Sequence, residues 1–333
     1  MKLQIIAELA QGFEGCPKQA RLLLQAAAGA GATAAKFQLI IADELATPDY
    51  KYYKLFKSLE MPDQAWKDLS NYANELGISL HLDIFGSRSL NLAEQINIEA
   101  VKLHGTDIAN IGLLKEVSKS PIKKIILGAG GAYVSELEGA IDILANKDIV
   151  ILLGFQGYTT PIDANQISRL YDLKKHFSKA CSNIIFGFAD HTSPESTLRF
   201  ALASMAIGAG ATVIEKHLTL GRIMKLEDYE SALNPDEFFE FSKTLKDCAL
   251  ALGSSTLAED FGMSESEKRY RKMIRRHVVA AVRLNPGDQL EPSQLILKRT
   301  SAENPVTELL SIYNKIVKTP IEINSPVLLK DIV

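Results

Sequence analysis

From residue 3 to residue 220, short apolar segments alternate with longer segments in which apolar residues recur every three or four positions. The first pattern is typical of buried strands and the second of amphipathic helices, such as those we expect over 17–32 and 62–77. We predict eight strands, at 3–9, 34–40, 78–85, 100–105, 124–130, 150–156, 184–191 and 213–220. Because a strand–helix unit repeated eight times gives parallel strands joined by right-handed crossovers, the pattern predicts an α/β fold, a (β/α)8 TIM barrel. A doubly wound open sheet is the alternative.

The pattern changes after a predicted helix over 235–254. Residues 255–275 are polar and charged and predict a linker with a helical piece. From residue 276, short alternating segments are separated by the turn sequences NPGD and INSP, which indicates a compact β-rich domain. We therefore predict a barrel over 1–254, a linker over 255–275 and a small β domain over 276–333. A core this small is marginal, which favours packing on the barrel or on a partner subunit.

Composition and charge narrow the class of protein. The chain has 333 residues, 47 % of them hydrophobic and 23 % charged, and its net charge is −3. Such values are ordinary for a globular protein, and the lack of a basic block argues against nucleic acid or membrane as a partner. The odd number of widely spaced cysteines (Cys16, Cys181 and Cys248) argues against a disulfide framework and fits a cytoplasmic location. The N-terminus resembles a strand entering a loop, with no signal-peptide pattern.

Polar side chains cluster where the predicted strands end, and the C-terminal ends of barrel strands are where such enzymes carry their sites. These residues are Glu8, Lys36, Gln38, Asp83, Lys102, Asp107, Gln156, Tyr158, Asp190, His191, Glu215, Lys216 and His217. A random chain also has polar residues at strand ends, so each group needs separate consideration.

Two histidines end neighbouring strands: His191 follows strand seven and His217 lies in strand eight. Two imidazoles at one barrel mouth suit a divalent metal with open positions, although a pair of hydrogen-bonded structural histidines is about equally expected. Glu8 on strand one is next to strand eight after closure. It could complete the metal shell or orient a metal-bound water.

Two lysines, Lys36 and Lys102, end otherwise apolar strands. A lysine in such a place must reach water or find an anion, so the pair predicts a phosphate or carboxylate site, with extended rim lysines as the alternative. Asp228, in the loop after strand eight, is by itself best explained as a solvated loop acid or a helix cap. The glycine-rich turn LGAGGA after strand five could offer backbone N–H groups to a phosphate, but it lacks the spacing of a known phosphate loop.

Several sequence motifs, taken together, resemble the sialic acid synthase family over residues 3–333. They are AEL, KFQ, VKLHGTD, DHT, IEKHLTL, DYESALNPDEF, RRHVVAA and LILKRT. The family consists of barrel enzymes with a C-terminal antifreeze-like (SAF) domain. The resemblance implies a condensation of phosphoenolpyruvate with N-acetylmannosamine or a related N-acetylated sugar, which releases phosphate and forms a nonulosonic 2-keto acid. It also implies a divalent ion, Mn²⁺ or Mg²⁺, and a domain-swapped homodimer.

The resemblance assigns candidate roles to individual residues. Glu8 is a catalytic acid, and Asp107 and Asp228 are catalytic candidates on positions that contact the sugar. The implied substrate-binding residues are Lys36, Gln38, Lys102, Gln156, Tyr158 and Arg299, of which Arg299 is the one that reaches the partner subunit's site. The implied metal ligands are His191 and His217.

The chain departs from the family pattern on the phosphate side of the site. Asp83 stands where a threonine is usual, and Gly105, Gly128 and Ala189 stand where serines are usual. Gln156 replaces an asparagine, and the family's NHNG sequence after strand one is absent. These changes remove hydrogen-bond donors, and Asp83 adds repulsion of an anion. Three hypotheses follow: an active synthase, a divergent lyase or aldolase for another keto-acid or phosphorylated substrate, and a non-catalytic family member.

Overall fold

The computed structural model describes residues 3–155, 157–177, 184–253 and 260–333. The chain divides into two compact units, Met1–Gly253 and Ser254–Val333. Within the described ranges, no helix combines the length and the apolar character that crossing a membrane requires.

The first unit is a closed barrel of parallel strands in which each strand pairs with its neighbour along the chain and the last pairs with the first. The strands are Gln4–Ala10 (β1), Ala34–Gln38 (β2), Ser79–Asp83 (β3), Ala100–Leu103 (β4), Lys124–Gly128 (β5), Asp148–Leu153 (β6), Ile184–Asp190 (β7) and Val213–His217 (β8). The TIM-barrel prediction is confirmed, and the open sheet is wrong. Strands β2 to β8 all end before the predicted residue, because pairing stops where the chain turns into the loops of the mouth.

Helices surround this barrel. They are Pro17–Gly29 (α1), Ala42–Leu45 (α2), Tyr53–Leu59 (α3), Asp63–Leu76 (α4), Ser87–Glu94 (α5), Ile111–Lys119 (α6), Val134–Ile143 (α7), Arg169–Phe177 (α8), Ala201–Gly208 (α9) and Pro235–Leu252 (α10). Proline at the first position starts α1 and α10, where its missing N–H costs nothing. Gly77, with φ of 68°, ends α4 in the left-handed region that glycine adopts readily. Phe13, Phe37 of β2 and Trp66 of α4 pack edge to face in the core between the barrel and the helices.

Inward-facing positions alternate along each strand, and this alternation builds the barrel interior in layers. A lower layer is apolar and contains Ile6, Ala34, Ala100, Ile126, Val150 and Val213. The next inward residue along four of these strands is charged: Glu8 follows Ile6, Lys36 follows Ala34, Lys102 follows Ala100 and Glu215 follows Val213. The apolar layer thus forms a floor beneath a charged layer at the C-terminal end.

The second unit is small and rich in β-structure. Strands His277–Ala280 (β9) and Leu295–Lys298 (β10) pair antiparallel, and isolated bridges such as Leu284 with Ile321 extend the arrangement. Its own core contains Val278, Leu284, Leu290, Ile312 and Val327. The helix Glu265–Ile274 (α11) lies inside the predicted linker and begins at Ser264, whose hydroxyl accepts from the Glu267 N–H. The assignment of this unit as an antifreeze-like domain stays a prediction.

Candidate active site at the barrel mouth

Five charged side chains from five strands meet at the C-terminal end of the barrel, and we call them the central cluster. They are Glu8, Lys36, Asp83, Lys102 and Glu215. Each is at most 3 % exposed. Burying charge is costly unless opposite charges satisfy it, so the cluster persists because acids and lysines alternate in it.

Both lysines are paired with carboxylates of the protein itself. Lys36 Nζ donates to Glu8 Oε2 and, over 2.8 Å, to Asp83 Oδ1, and it lies 3.7 Å from Glu215 Oε2. Lys102 Nζ lies 2.8 Å from Glu215 Oε1 and 3.9 Å from Glu8 Oε2. The lysines are therefore not extended rim residues. They face anions that belong to the protein, and their role in binding a phosphate or carboxylate of a ligand stays a prediction.

The cluster separates its carboxylates by pKa. Burial raises the pKa of Glu8 to about 7, although the Lys36 ammonium opposes the shift. Burial would also raise the pKa of Asp83, but Lys36 and Lys102 outweigh it and hold this pKa well below its ordinary value. Lys102 and Lys36 likewise overcome burial and lower the pKa of Glu215. Near neutral pH, Glu8 is the member of the cluster that exchanges a proton most readily.

A break in strand pairing fixes the position of Glu8. The register of β1 against β2 shifts between Glu8 and Ala10, and Ala10 has φ of 44°. This bend turns the Ala10 N–H toward Glu8, whose Oε1 accepts it at 2.8 Å. One carboxylate oxygen is thus held by the backbone while the other meets Lys36. Such bulges often orient a side chain at a functional site.

His191 and His217 lie side by side at the mouth, with ring centroids 5.2 Å apart. The Tyr158 ring meets both edge on, at 5.5 Å and 5.7 Å. Burial lowers the pKa of His191 to about 4 and that of His217 well below its usual value, so both imidazoles are neutral near pH 7. Neutral imidazole is the form that binds metal.

The two histidines fit a divalent ion with a small protein ligand set. His191 Nδ1 is buried without a hydrogen-bond partner, while His217 Nδ1 lies 3.8 Å from Asp228 Oδ2. Within the described ranges, no group of three or more His, Cys, Asp or Glu side chains has a metal-binding arrangement. An ion held here would complete its shell with water or substrate.

Asp228 and Tyr158 line one side of a large cavity in the mouth, of about 1050 Å³. Burial raises the pKa of Asp228 to about 7. The pKa of Tyr158 is also raised, mainly by burial and secondly by the negative charge of Asp228. Asp107 also lines the cavity, and burial raises its pKa. Gln38 lies at the cavity wall and accepts a hydrogen bond from Gln11 over 2.8 Å. None of the described residues that line the cavity is a lysine or an arginine.

Glycine backbones close the other side of the mouth, above β4 to β6. A Cβ on Gly105 would lie 2.2 Å from the Gly130 carbonyl oxygen, and one on Gly130 would lie 2.0 Å from the Gly154 carbonyl oxygen. Contacts that short do not occur for real side chains, so these strand ends approach each other only because they carry none. The resemblance leads us to expect a serine at position 105, and the glycine there removes its hydroxyl and also the space for it.

Some predicted residues do not join this site in the described part of the chain. Gln156 lies outside the described residues. Arg299 belongs to the second unit, where its Nε donates to the Ile274 carbonyl over 3.3 Å, and its role in a partner's site stays a prediction. Glu215 joins the site although the sequence motifs assign no role to it. The i, i+2 spacing of Glu215 and His217 on one strand places both on the inner face, and this signal could have identified it.

Comparison with known proteins identifies the family to which this chain is similar. The NeuB family matches residues 23–256. An N,N'-diacetyllegionaminic acid synthase of Campylobacter jejuni is 27 % identical over 317 residues, which cover 90 % of each chain. An N-acetylneuraminate-9-phosphate synthase of Mus musculus is 24 % identical over 335 residues, 96 % of this chain and 89 % of that protein.

A solved structure gives the same result at the level of the fold and the sequence. The N-acetylneuraminic acid (sialic acid) synthetase from Leptospira borgpetersenii matches with a TM-score of 0.72 and 27 % identity, over 82 % of this chain and 92 % of that chain. The chain therefore belongs to the NeuB family of sugar-acid synthases, transferase-type enzymes that condense phosphoenolpyruvate with an amino sugar.

Proposed function

We propose that this chain condenses phosphoenolpyruvate with an N-acetylated hexosamine of the N-acetylmannosamine type, in a reaction that depends on Mn²⁺ or Mg²⁺. The products are a sialic-acid-like nonulosonic 2-keto acid and phosphate. The observation that carries the proposal is the convergence of the central cluster, the paired neutral histidines and Tyr158 on one mouth of a NeuB-family barrel. The cavity of about 1050 Å³ has room for a hexose beside a three-carbon donor.

The bond changes assign work to each side of the mouth. C3 of phosphoenolpyruvate attacks the aldehyde carbon of the open-chain sugar, water adds to C2, and the resulting tetrahedral carbon loses phosphate. On the donor side, Lys36 and Lys102 would attract the anionic groups. Glu8, with its pKa of about 7, would take a proton of the attacking water and pass it to the former aldehyde oxygen, which becomes a hydroxyl. The C2 hydroxyl then loses its proton to the departing phosphate as the ketone forms.

On the acceptor side, the cavity wall would orient the sugar. Gln38, Asp107 and Asp228 present amide and carboxyl groups to hydroxyls, and Tyr158 places an aromatic edge beside both histidines. His191 and His217 would hold the divalent ion, which when bound polarises the aldehyde oxygen. Arg299 of a second, domain-swapped copy would complete this side, and the reaction would take place in the cytoplasm.

A coupled assay tests the proposal. Purified protein with MnCl₂, phosphoenolpyruvate and a panel of N-acetylated hexosamines should release phosphate and form a product whose mass equals donor plus sugar plus water minus phosphoric acid. If none of the sugars gives both phosphate and this product, the proposed reaction is wrong.

Histidine variants separate metal binding from turnover. His191→Ala and His217→Ala should each weaken Mn²⁺ binding, measured by electron paramagnetic resonance of free Mn²⁺, and abolish product formation. His176→Ala is the matched control, because His176 lies half-exposed on α8 and pairs with Glu138. Equal Mn²⁺ binding by all three variants would refute the assignment of the metal ligands.

A lyase or aldolase that acts on a keto acid without phosphate is the second candidate. The contacts among Gly105, Gly130 and Gly154 favour it, because they close the side of the mouth where serine hydroxyls would meet a phosphate. The same assay with pyruvate in place of phosphoenolpyruvate distinguishes the two: a 4-hydroxy-2-keto acid formed from pyruvate, with no product from phosphoenolpyruvate, selects this reaction.

A further inference from the structure

Asp83 takes the position beside Lys36 that a bound anion would need. Its Oδ1 accepts from Lys36 Nζ at 2.8 Å, and its Oδ2 lies 3.1 Å from Nε2 of His104. The side chain is fully buried, with no measurable exposure. One carboxylate of the protein thus engages groups from the strands on both sides of its own, as a phosphate or carboxylate of a ligand would.

Lys36 already donates to two carboxylates and has a third within ion-pair distance. An ammonium carries three N–H groups, and the carboxylates of Glu8, Asp83 and Glu215 surround this one. Lys102 lies between Glu215 and Glu8. The central cluster contains three acids and two lysines, so an entering anion must compete with protein carboxylates for the lysines.

Among the three acids, Asp83 is the one that a ligand can replace. Glu8 and Glu215 each contact both lysines and tie Lys36 to Lys102, whereas the ion pair of Asp83 within the cluster is with Lys36. Displacing Asp83 would leave both lysines paired, while displacing Glu8 or Glu215 would break the bridge between them.

We infer that Asp83 is an internal competitor for the anionic group of the donor and determines the specificity of the donor subsite against phosphate-bearing ligands. The inference rests on the proposed function in that phosphoenolpyruvate is the ligand it concerns. The phosphate of this ligand carries a charge of about −1.5 to −2 near pH 7, so it gains little at a site where a protein carboxylate already neutralises Lys36.

Binding measurements test this without turnover. Titration calorimetry on the full-length protein, with phosphoenolpyruvate, pyruvate and inorganic phosphate as ligands, should show the wild type preferring phosphoenolpyruvate to pyruvate by less than about tenfold. Asp83→Asn and Asp83→Thr should each tighten phosphoenolpyruvate and phosphate binding by at least about tenfold, since one buried charge a few ångströms away is removed. Pyruvate affinity should change less.

Asp43→Asn is the control, because Asp43 lines the cavity in the mouth but pairs with Tyr53 and Lys57 and not with the central cluster. It removes the same charge from the mouth without touching Lys36 and should change each affinity by less than about twofold. Circular dichroism confirms that each variant folds. If Asp83→Asn does not fold, the wild-type preference for phosphoenolpyruvate over pyruvate and the affinities of Asp83→Thr decide the question.

Three results would overturn the inference: no tighter binding in either Asp83 variant, an equal gain in Asp43→Asn, or a wild-type preference for phosphoenolpyruvate above about a hundredfold. Failure of the condensation assay leaves these binding results intact, so the two proposals fail separately. A wild type that condenses phosphoenolpyruvate but shows no gain in the Asp83 variants refutes the inference alone.

Discussion

Replacing Lys36 by methionine removes the cation at the centre of the charged layer and keeps most of the apolar stem. The ammonium contacts Glu8 and Asp83 directly and lies 3.7 Å from Glu215. Removing one partner of a buried ion pair costs about 3–5 kcal/mol, because the remaining charge stays buried and unpaired.

Proton uptake reduces this loss at low pH. The pKa of Glu8 is already about 7 in the presence of Lys36, so without the lysine Glu8 is protonated at neutral pH at little further cost. Lys102 still pairs with Glu215 at 2.8 Å, which leaves Asp83 as the principal unpaired charge. We therefore expect a loss near the lower end of the range, about 3 kcal/mol at pH 7. The loss should grow toward pH 8.5 and shrink toward pH 5, since protonation relieves the unpaired acids.

Urea unfolding followed by fluorescence measures this loss directly. Trp66 is the only tryptophan of the chain and lies 1 % exposed in the barrel unit, so its emission reports on that unit. Lys57→Met is the control, because Lys57 is about half-exposed and its surface pairs should contribute less than about 1 kcal/mol. A loss below about 1 kcal/mol for Lys36→Met, or one independent of pH, would refute our account of the central cluster.

Three further predictions concern the same unit. Because the pKa of Glu8 is about 7 in the folded state and 4.5 in the unfolded state, Glu8 stabilises the wild type below pH 4.5, and this stability is lost as the pH rises through about 7. Between pH 4.5 and pH 8, the free energy of unfolding of Glu8→Gln should therefore rise by roughly 3 kcal/mol relative to that of the wild type. An unchanged difference between the two proteins in urea unfolding across this range would contradict the prediction. Phe13→Ala should cost about 3–5 kcal/mol, because Phe13 is fully buried against Phe37 and Trp66, and the Trp66 emission of the folded state should shift. Gly105→Ser should destabilise the protein by about 1–3 kcal/mol and lower its thermal midpoint, since the new Cβ would lie 2.2 Å from the Gly130 carbonyl oxygen. An unchanged midpoint would show that the backbone after β5 moves aside without cost.

The barrel was predictable because its pattern is local. Each strand is a short apolar run, and the alternation of Ile6 with Glu8 or Val213 with Glu215 already assigns one face to the interior. The bounds of the helix between β7 and β8 were less predictable: Pro194 and the turns at Ser193 and Ser196 leave a helix only over Ala201–Gly208. Periodicity does not show where such turns interrupt it.

The strand-end residues were predictable as a set, but their partners were not. Lys36 meets Glu215 because closure of the barrel brings β8 next to β1. The spacing of residues along the chain does not reveal this contact. The sequence alone indicated repulsion from Asp83, whereas the structure shows Asp83 as a partner of Lys36. Loss of hydroxyls at Gly105 was visible from the residue type, but closure of the space was not, because it depends on backbone-to-backbone distances.

The contacts among these glycines also restrict how the protein can change over evolutionary time. A side chain at Gly105 meets the carbonyl of Gly130, and a side chain at Gly130 meets that of Gly154. Each such substitution therefore clashes with the backbone that follows the next strand, so a hydroxyl introduced here through one substitution costs stability. Selection for a new substrate would act instead on the opposite rim, around residues 42–56, where the cavity is lined by loops and short helices that change without moving the strands.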